Sequence, residues 1–230
     1  MPFDYKKEYK EFYMPKRKPE IVDIPEMKFI AVRGKGDPNE EGGDYKAAIG
    51  LLYGIAFTIK MSKKGDHKIE GYFDYVVPPL EGFWTQSERR TENGAVQFEQ
   101  TSRRTDRYEL DYSRKEDFCW ISVIRLPDFV TEADVRWAIE EAGRKKGQDY
   151  SKVEFLTICE GLCVQCMHIG AYDDEPATVA MMDQFLCENG YENDFSKERQ
   201  HHEIYLSDAR RVAPERQKTV IRHPIRKAGD

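Results

Sequence analysis

The hydrophobic residues of this chain fall into short alternating runs separated by longer stretches of helical period. Between Asp44 and Met61, Ile49, Leu52, Tyr53 and Ala56 recur at the i, i+3, i+4, i+7 spacing of one buried helix face, and Gly65 closes the segment. A second helix is predicted from Thr131 to Lys146. Thr131 is its N-cap, Asp134 stands three residues on as in a capping box, and Val135, Ala138, Ile139 and Ala142 form the apolar face, with Gly147 at the end. A third helix is predicted from Glu175 to Asn189, capped by Asp173 or Asp174, with Pro176 in its first turn and Gly190 just beyond.

The remaining apolar runs read as strands: Met27–Val32, Lys68–Val77, Phe118–Leu126, Val153–Ile158, Leu162–Ile169, His202–Leu206 and Thr219–Ile225, with a shorter candidate at Ala95–Gln100. The pair Glu160-Gly161 separates two of them and predicts a hairpin. The first two dozen residues are charged and aromatic without a clear period and read as an extended arm. A strand, a glycine turn, an acidic cap, a helix and a strand occur over 29–77 and recur from Leu162 to Leu206. Each such unit leaves one sheet face bare, so two of them are expected to pair as an α+β protein with a ligand groove where the halves meet.

Composition narrows the function classes. Of 230 residues, 34% are charged and 40% hydrophobic, with a net charge of −6; that suits a folded, soluble chain and argues against intrinsic disorder. No apolar run approaches the roughly 20 residues of a membrane span, and the N-terminus lacks the apolar core of a secretory signal, so a cytoplasmic location is expected. The basic tail (Arg210, Arg211, Arg216, Lys218, Arg222) sits in an acidic chain and reads as a solvated edge rather than a nucleic-acid surface.

Several motifs fail on context. Cys159, Cys163 and Cys166 have the spacing of a cluster-binding loop, but Cys163 and Cys166 lie at an odd offset in a strand and point to opposite faces. Cys166 and His168 share a face without a second close pair for zinc, so no metal is predicted and the cysteines read as small buried thiols. Gly34 and Gly36 lack the third glycine of a dinucleotide fingerprint and read as a turn.

The best site candidate is the strand ending at Leu206. Alternation places Glu203 and Tyr205 on one face and Ile204 and Leu206 on the other. If the aliphatic pair faces the core, a carboxylate beside a phenol faces whatever lies opposite, able to hold a cation or to act as base and acid. The residues alone leave open a solvent-facing surface on which Glu203 pairs with an arginine.

The segment from Met167 to Pro176, reading MHIGAYDDEP, resembles the hallmark of the GyrI-like small-molecule-binding family, His-x-Gly-Pro-Tyr before a helix, with Ala171 where that family usually has proline. Further similarity lies in GKGDPN at 34–39, EGYFDY at 70–75, PLEGFW at 79–84, LPDFV at 126–130 and EIYLSD at 203–208. Together these resemble the longer, stand-alone bacterial branch of the family. The resemblance implies tandem strand-helix-strand-strand (SHS2-type) modules related by a pseudo-twofold axis. It sets an N-terminal arm over 1–25 before one domain over 26–230, with modules near 27–126 and 127–210 and a basic strand over 211–230.

It also implies an aromatic or amphipathic small-molecule ligand, with Glu203 as the pocket glutamate, Tyr205 beside it, and Trp84, Tyr72 and Tyr53 as aromatic lining. His168 and Tyr172 are carried over as rim or structural residues. Members of the stand-alone branch are known as cyclopropanoid hydrolases that detoxify DNA-alkylating natural products; other relatives are effector-binding domains of drug-responsive regulators. With no helix-turn-helix segment in view, two readings follow: a hydrolase of spirocyclopropyl dienones that needs no cofactor, and a module that sequesters or senses amphipathic or cationic drugs without turnover. Oligomeric state and natural ligand are left open.

Overall fold

The computed structural model describes residues 1–92, 95–100 and 110–229. Two single-turn helices, α1 (Tyr5–Glu8) and α2 (Lys10–Tyr13), lead into strand β1 (Glu20–Lys35) and helix α3 (Asp44–Met61). Strands β2 (Leu80–Glu92), β3 (Ala95–Gln100) and β4 (Phe118–Arg125), helix α4 (Glu132–Lys146) and strand β5 (Glu154–Ile169) follow. Helix α5 (Glu175–Asn189) and strands β6 (Tyr191–Asn193), β7 (His201–Tyr205) and β8 (Lys218–Lys227) complete the order. No described helix is long and apolar enough to cross a membrane.

The strands run in the order β3-β2-β4-β1-β5-β8-β6, and β7 pairs with both β2 and β8. The five-residue β7 therefore closes β2, β4, β1, β5 and β8 into an antiparallel ring, and a closed ring has no edges to protect.

Strand alternation gives the ring two faces with different fillings. On the outer face Ile30, Val32, Trp120 and Ile124 pack under α3 and α4, against Leu52, Ile55, Val135 and Ala138. Further round, Val164, Cys166 and Ile221 pack under Val179, Met182 and Leu186 of α5. The inner face holds Phe29, Ala31, Phe83, Val123 and Cys163. Cys163 and Cys166 thus lie on opposite faces as expected, both buried as free thiols, while Cys159 and Cys187 are exposed. Burial pushes the Cys166 thiol up to about 11, in keeping with an inert core residue.

The inner face also carries charge. His202 stacks on Phe83 with ring centroids 4.0 Å apart and lies 3.0 Å from a carboxylate oxygen of both Glu81 and Glu160. Arg222 donates to Glu160 at 2.9 Å, to Gln165 and to the carbonyl of Phe12. Burial alone would raise Glu160, but the charges of His202 and Arg222 outweigh it and bring its carboxyl down to about 2.

Arg222, expected on a solvated edge, is thus buried in the interior, and three further expectations are corrected. Residues 1–19 are not an extended arm: α1 and α2 plug the ring, burying Tyr5 and Tyr13, and β1 begins at Glu20 rather than Met27. Arg125 lies 4.9 Å from the ring centre of Tyr5 and 4.8 Å from that of Tyr9, while the Tyr13 hydroxyl donates to Glu81 at 3.3 Å, so the buried charges explain why this segment is held.

Lys68–Val77 is not a strand. Among the described residues its only pairing is a bridge between Phe3 and Tyr75, Gly71 sits at φ 72°, and the Pro78-Pro79 pair precedes β2. Its alternation reflects packing of Ile69 and Tyr75 into the core. The expected hairpin at Glu160-Gly161 is one continuous strand paired along β1. Gly161, at φ 62°, shifts the alternation by a residue, so Glu160 joins Cys163 and Gln165 on the inner face.

Candidate functional site

The outer surface of β2 and β7, between the α3/α4 patch and α5, floors a groove of about 1250 Å³. As the alternation predicts, β7 sends His202 and Ile204 inward, and Glu203 and Tyr205 line the groove. Trp84 of β2 donates its Nε1 hydrogen to the Tyr205 hydroxyl at 2.9 Å. That contact requires Gly82, the cross-strand partner of Glu203: a Cβ there would stand 2.7 Å from Trp84 Nε1 and 2.9 Å from the Tyr205 hydroxyl. Tyr45, from the first turn of α3, lines the groove beside Tyr205 with its ring centre 5.3 Å from that of Trp84. Tyr172 meets Tyr205 edge-on at 5.7 Å.

Behind these rings Glu203 is one of a pair. Glu175, the first residue of α5, is fully buried, and Tyr112 donates to its Oε2 at 3.3 Å. Burial and the adjacent charge of Glu203 push the Glu175 carboxyl well above the usual range, so Glu175 keeps its proton near neutral pH.

Across the pair, His201 Nε2 lies 3.0 Å from Glu203 Oε1, and His201 Nδ1 lies 2.7 Å from His223 Nε2. Burial and His201 hold the His223 imidazole well below its ordinary value, so it is neutral. One hydrogen lies between His201 Nδ1 and His223 Nε2, one nitrogen donating and the other accepting.

The phenols stay protonated for the same reasons. Burial, then the charges of Glu203 and Glu175, pushes Tyr172 up to about 12, and burial followed by Glu203 raises Tyr205 well above its ordinary value. A dry carboxylate surrounded by phenol, indole and imidazole donors suits a reaction that takes a proton at one atom and supplies one at another. Glu175, His201 and Glu203 also present ligand atoms within 4.8 Å of one another.

Of the residues expected from sequence, the groove brings together Glu203, Tyr205, Trp84, Tyr53 and Tyr172. Two are corrected. Tyr72 packs behind the wall against Phe129, its hydroxyl donating to the Lys60 carbonyl at 2.7 Å. The buried ring of His168 is held by Thr178 at 2.9 Å and the Ala171 carbonyl at 3.0 Å, shaping the turn that presents Tyr172 and Glu175. Glu175, Tyr45, Tyr112, His201 and His223 were not anticipated. Only Glu175 carried a signal, as an acidic residue within the MHIGAYDDEP segment, and there it reads as ordinary first-turn charge on a helix.

A closed antiparallel ring with helices outside and an aromatic, acid-floored groove between its halves defines an α+β ligand-binding protein. The chain belongs to the GyrI-like family: the GyrI-like small molecule binding domain matches residues 17–100 and 113–226, the two repeats. Among solved structures it is similar to a hydrolase from Listeria innocua at 44% identity, with a TM-score of 0.81, covering 97% of this chain and 100% of that one. A second structure, also of a hydrolase from Listeria innocua, is 45% identical with a TM-score of 0.83, over 98% and 100% of the two chains. An uncharacterized conserved protein from the same organism matches at 45% identity and a TM-score of 0.83, covering 97% and 100%. The comparison with curated proteins finds no match.

Proposed function

We propose that the protein is a detoxifying hydrolase of strained cyclopropanoid compounds, adding water to a spirocyclopropyl dienone in the groove. The observation that carries this reading is the Glu203 carboxyl group, nearly buried in the groove floor beside the protonated Tyr205 among flat aromatic rings. Trp84 and Tyr45 hold the planar ring system, as stacking surfaces do.

Glu203 takes a proton from water as the water oxygen bonds the exposed cyclopropane methylene. The cyclopropane carbon–carbon bond breaks, and its electron pair passes into the ring, converting the dienone to a phenolate. The Tyr205 hydroxyl, on the same strand face as Glu203, protonates the developing phenolate. The Trp84 hydrogen bond supports the negative charge that Tyr205 briefly carries. Return of the proton from Glu203 to Tyr205 closes the cycle, with one water gained by the substrate and no cofactor consumed. The likeness to hydrolases of Listeria innocua supports the same reading.

The test is incubation with a spirocyclopropyl dienone, followed by chromatography and mass spectrometry, with Glu203→Gln and Tyr205→Phe alongside. The expected result is a product heavier by one water over many turnovers, lost in Glu203→Gln and reduced about 100-fold in Tyr205→Phe. Compound that binds and is recovered unchanged would replace hydrolysis with sequestration or sensing. Turnover intact in Glu203→Gln would remove the base assignment.

A further inference from the structure

Helix α3 contributes a continuous stripe to the groove: Lys46, Ile49, Gly50, Tyr53, Phe57 and Lys60 all face it. At 1.5 Å per residue the stripe extends about 21 Å, well beyond the Glu203–Tyr205 floor. Tyr53 and Phe57 stack along it with centroids 6.2 Å apart, and Phe57 is 50% exposed.

Gly50 breaks this stripe in mid-helix, where glycine is a poorer helix former than alanine. Packing gives no reason for it, because a Cβ at Gly50 would meet nothing within 4 Å. Four residues on, Gly54 has a reason: a Cβ there would stand 2.6 Å from the ring of Tyr150. The two glycines therefore differ in kind. One makes room for a neighbour within the fold, and the other leaves bare backbone facing the open groove.

We infer that Gly50 is a specificity-determining residue for an elongated ligand, with a planar head on the Glu203–Trp84 floor and a second planar apolar unit along α3. The second unit lies flat over the backbone at Gly50 and reaches Phe57. The inference rests on the small-molecule reading of the groove and holds whether or not the head is hydrolysed. Any side chain at position 50 projects into the space the second unit occupies, so the size of that side chain sets how much of the ligand is accepted.

The experiment compares two probes that share one spirocyclopropyl dienone head: a short one capped by an acetyl group, and a long one joined through an amide to an indole. Affinities are read from tryptophan fluorescence and turnover from mass spectrometry, for the full chain and for Gly50→Ala and Gly50→Leu. The wild-type protein is expected to bind the long probe about tenfold more tightly than the short one, a preference that shrinks in Gly50→Ala and disappears in Gly50→Leu. The melting temperature of Gly50→Ala is expected to equal or exceed that of wild type, which separates the effect from loss of fold.

Equal wild-type affinity for the two probes, no binding of either, or a Gly50→Leu variant that keeps the long-to-short ratio would each overturn the inference. Binding with the expected ratio but without turnover would remove the hydrolase reading and leave this one standing. Turnover of both probes with no ratio would do the reverse.

Discussion

The carboxyl groups of Glu175 and Glu203 lie with oxygens within 4.8 Å at the buried floor of the groove, and Glu175 holds a proton there. Glu175 opens α5 in one half of the molecule, whereas Glu203 sits on the strand that closes the ring. The pair therefore spans the two sides of the groove, and the proton on Glu175 bears on stability as well as on the site.

Because Glu175 titrates above its unfolded value, the folded protein keeps a proton that the unfolded chain releases above about pH 4.3. Stability contributed by that proton is complete below the unfolded value and falls as pH rises toward the folded one. Glu175→Gln removes the dependence. Denaturant unfolding is expected to show the variant gaining on wild type between pH 5 and pH 8, by up to about 1.4 kcal/mol per pH unit, with little difference near pH 4.

Gly82→Ala tests how closely the floor is built. The added methyl falls 2.7 Å from Trp84 Nε1 and 2.9 Å from the Tyr205 hydroxyl, so one of these groups must move and their hydrogen bond breaks. A destabilisation of about 1–3 kcal/mol is expected in urea melts, and ligand affinity is expected to fall further than stability accounts for. A variant that unfolds and binds like wild type would show that the Trp84–Tyr205 contact is dispensable.

The inner charges make an opposite pair of pH limbs. Burial lowers His202, but Glu160 and Glu81 outweigh it and raise the imidazole above its ordinary value. Its contribution is full below about pH 6.5 and is lost as pH climbs through the folded value. Glu160, held down to about 2, contributes above about pH 4.3 and loses that contribution as pH falls toward 2. His202→Gln is expected to cost about 3 kcal/mol near pH 6 and progressively less at alkaline pH, as followed by thermal denaturation across pH.

Arg125→Met addresses the N-terminal plug. It removes the cation lying between Tyr5 and Tyr9 and close to Tyr13 and Glu81. A loss of about 3 kcal/mol is expected. Limited proteolysis is expected to cut the variant first between Met14 and Pro19, and unchanged protection there would mean the aromatic packing alone secures the plug.

Where local pattern and tertiary role coincide, the sequence is readable. Thr131 and Asp134 form a full capping box at the start of α4, and the boundaries of α3 and α5 follow from apolar period and terminal glycines. The face assignment of Glu203 and Tyr205 follows from alternation in five residues of β7. Other features depend on partners distant in the chain. The segment 68–77 alternates like a strand but finds no ladder, since β7 already pairs with β2. Tyr5 and Tyr13 look like surface aromatics until Arg125 and Glu81, more than sixty residues on, give them a reason to be buried. Glu175 carries the same letters whether it caps a helix in water or keeps a proton when buried beside a second carboxyl group, and only the approach of β7 distinguishes the two.

The shortness of β7 has a consequence for how this protein can change. Successive residues of one five-residue stave face opposite ways, His202 into the ionic interior and Glu203 into the groove. Its neighbours are held by only four pairs to β2 and four to β8, so it has little slack in which to slide. A shift of one position would exchange the two residues, setting an imidazole where the carboxylate belongs and opening the ring at the same stroke. New ligand preferences are therefore expected to arise through the walls, with β7 inherited as a fixed part.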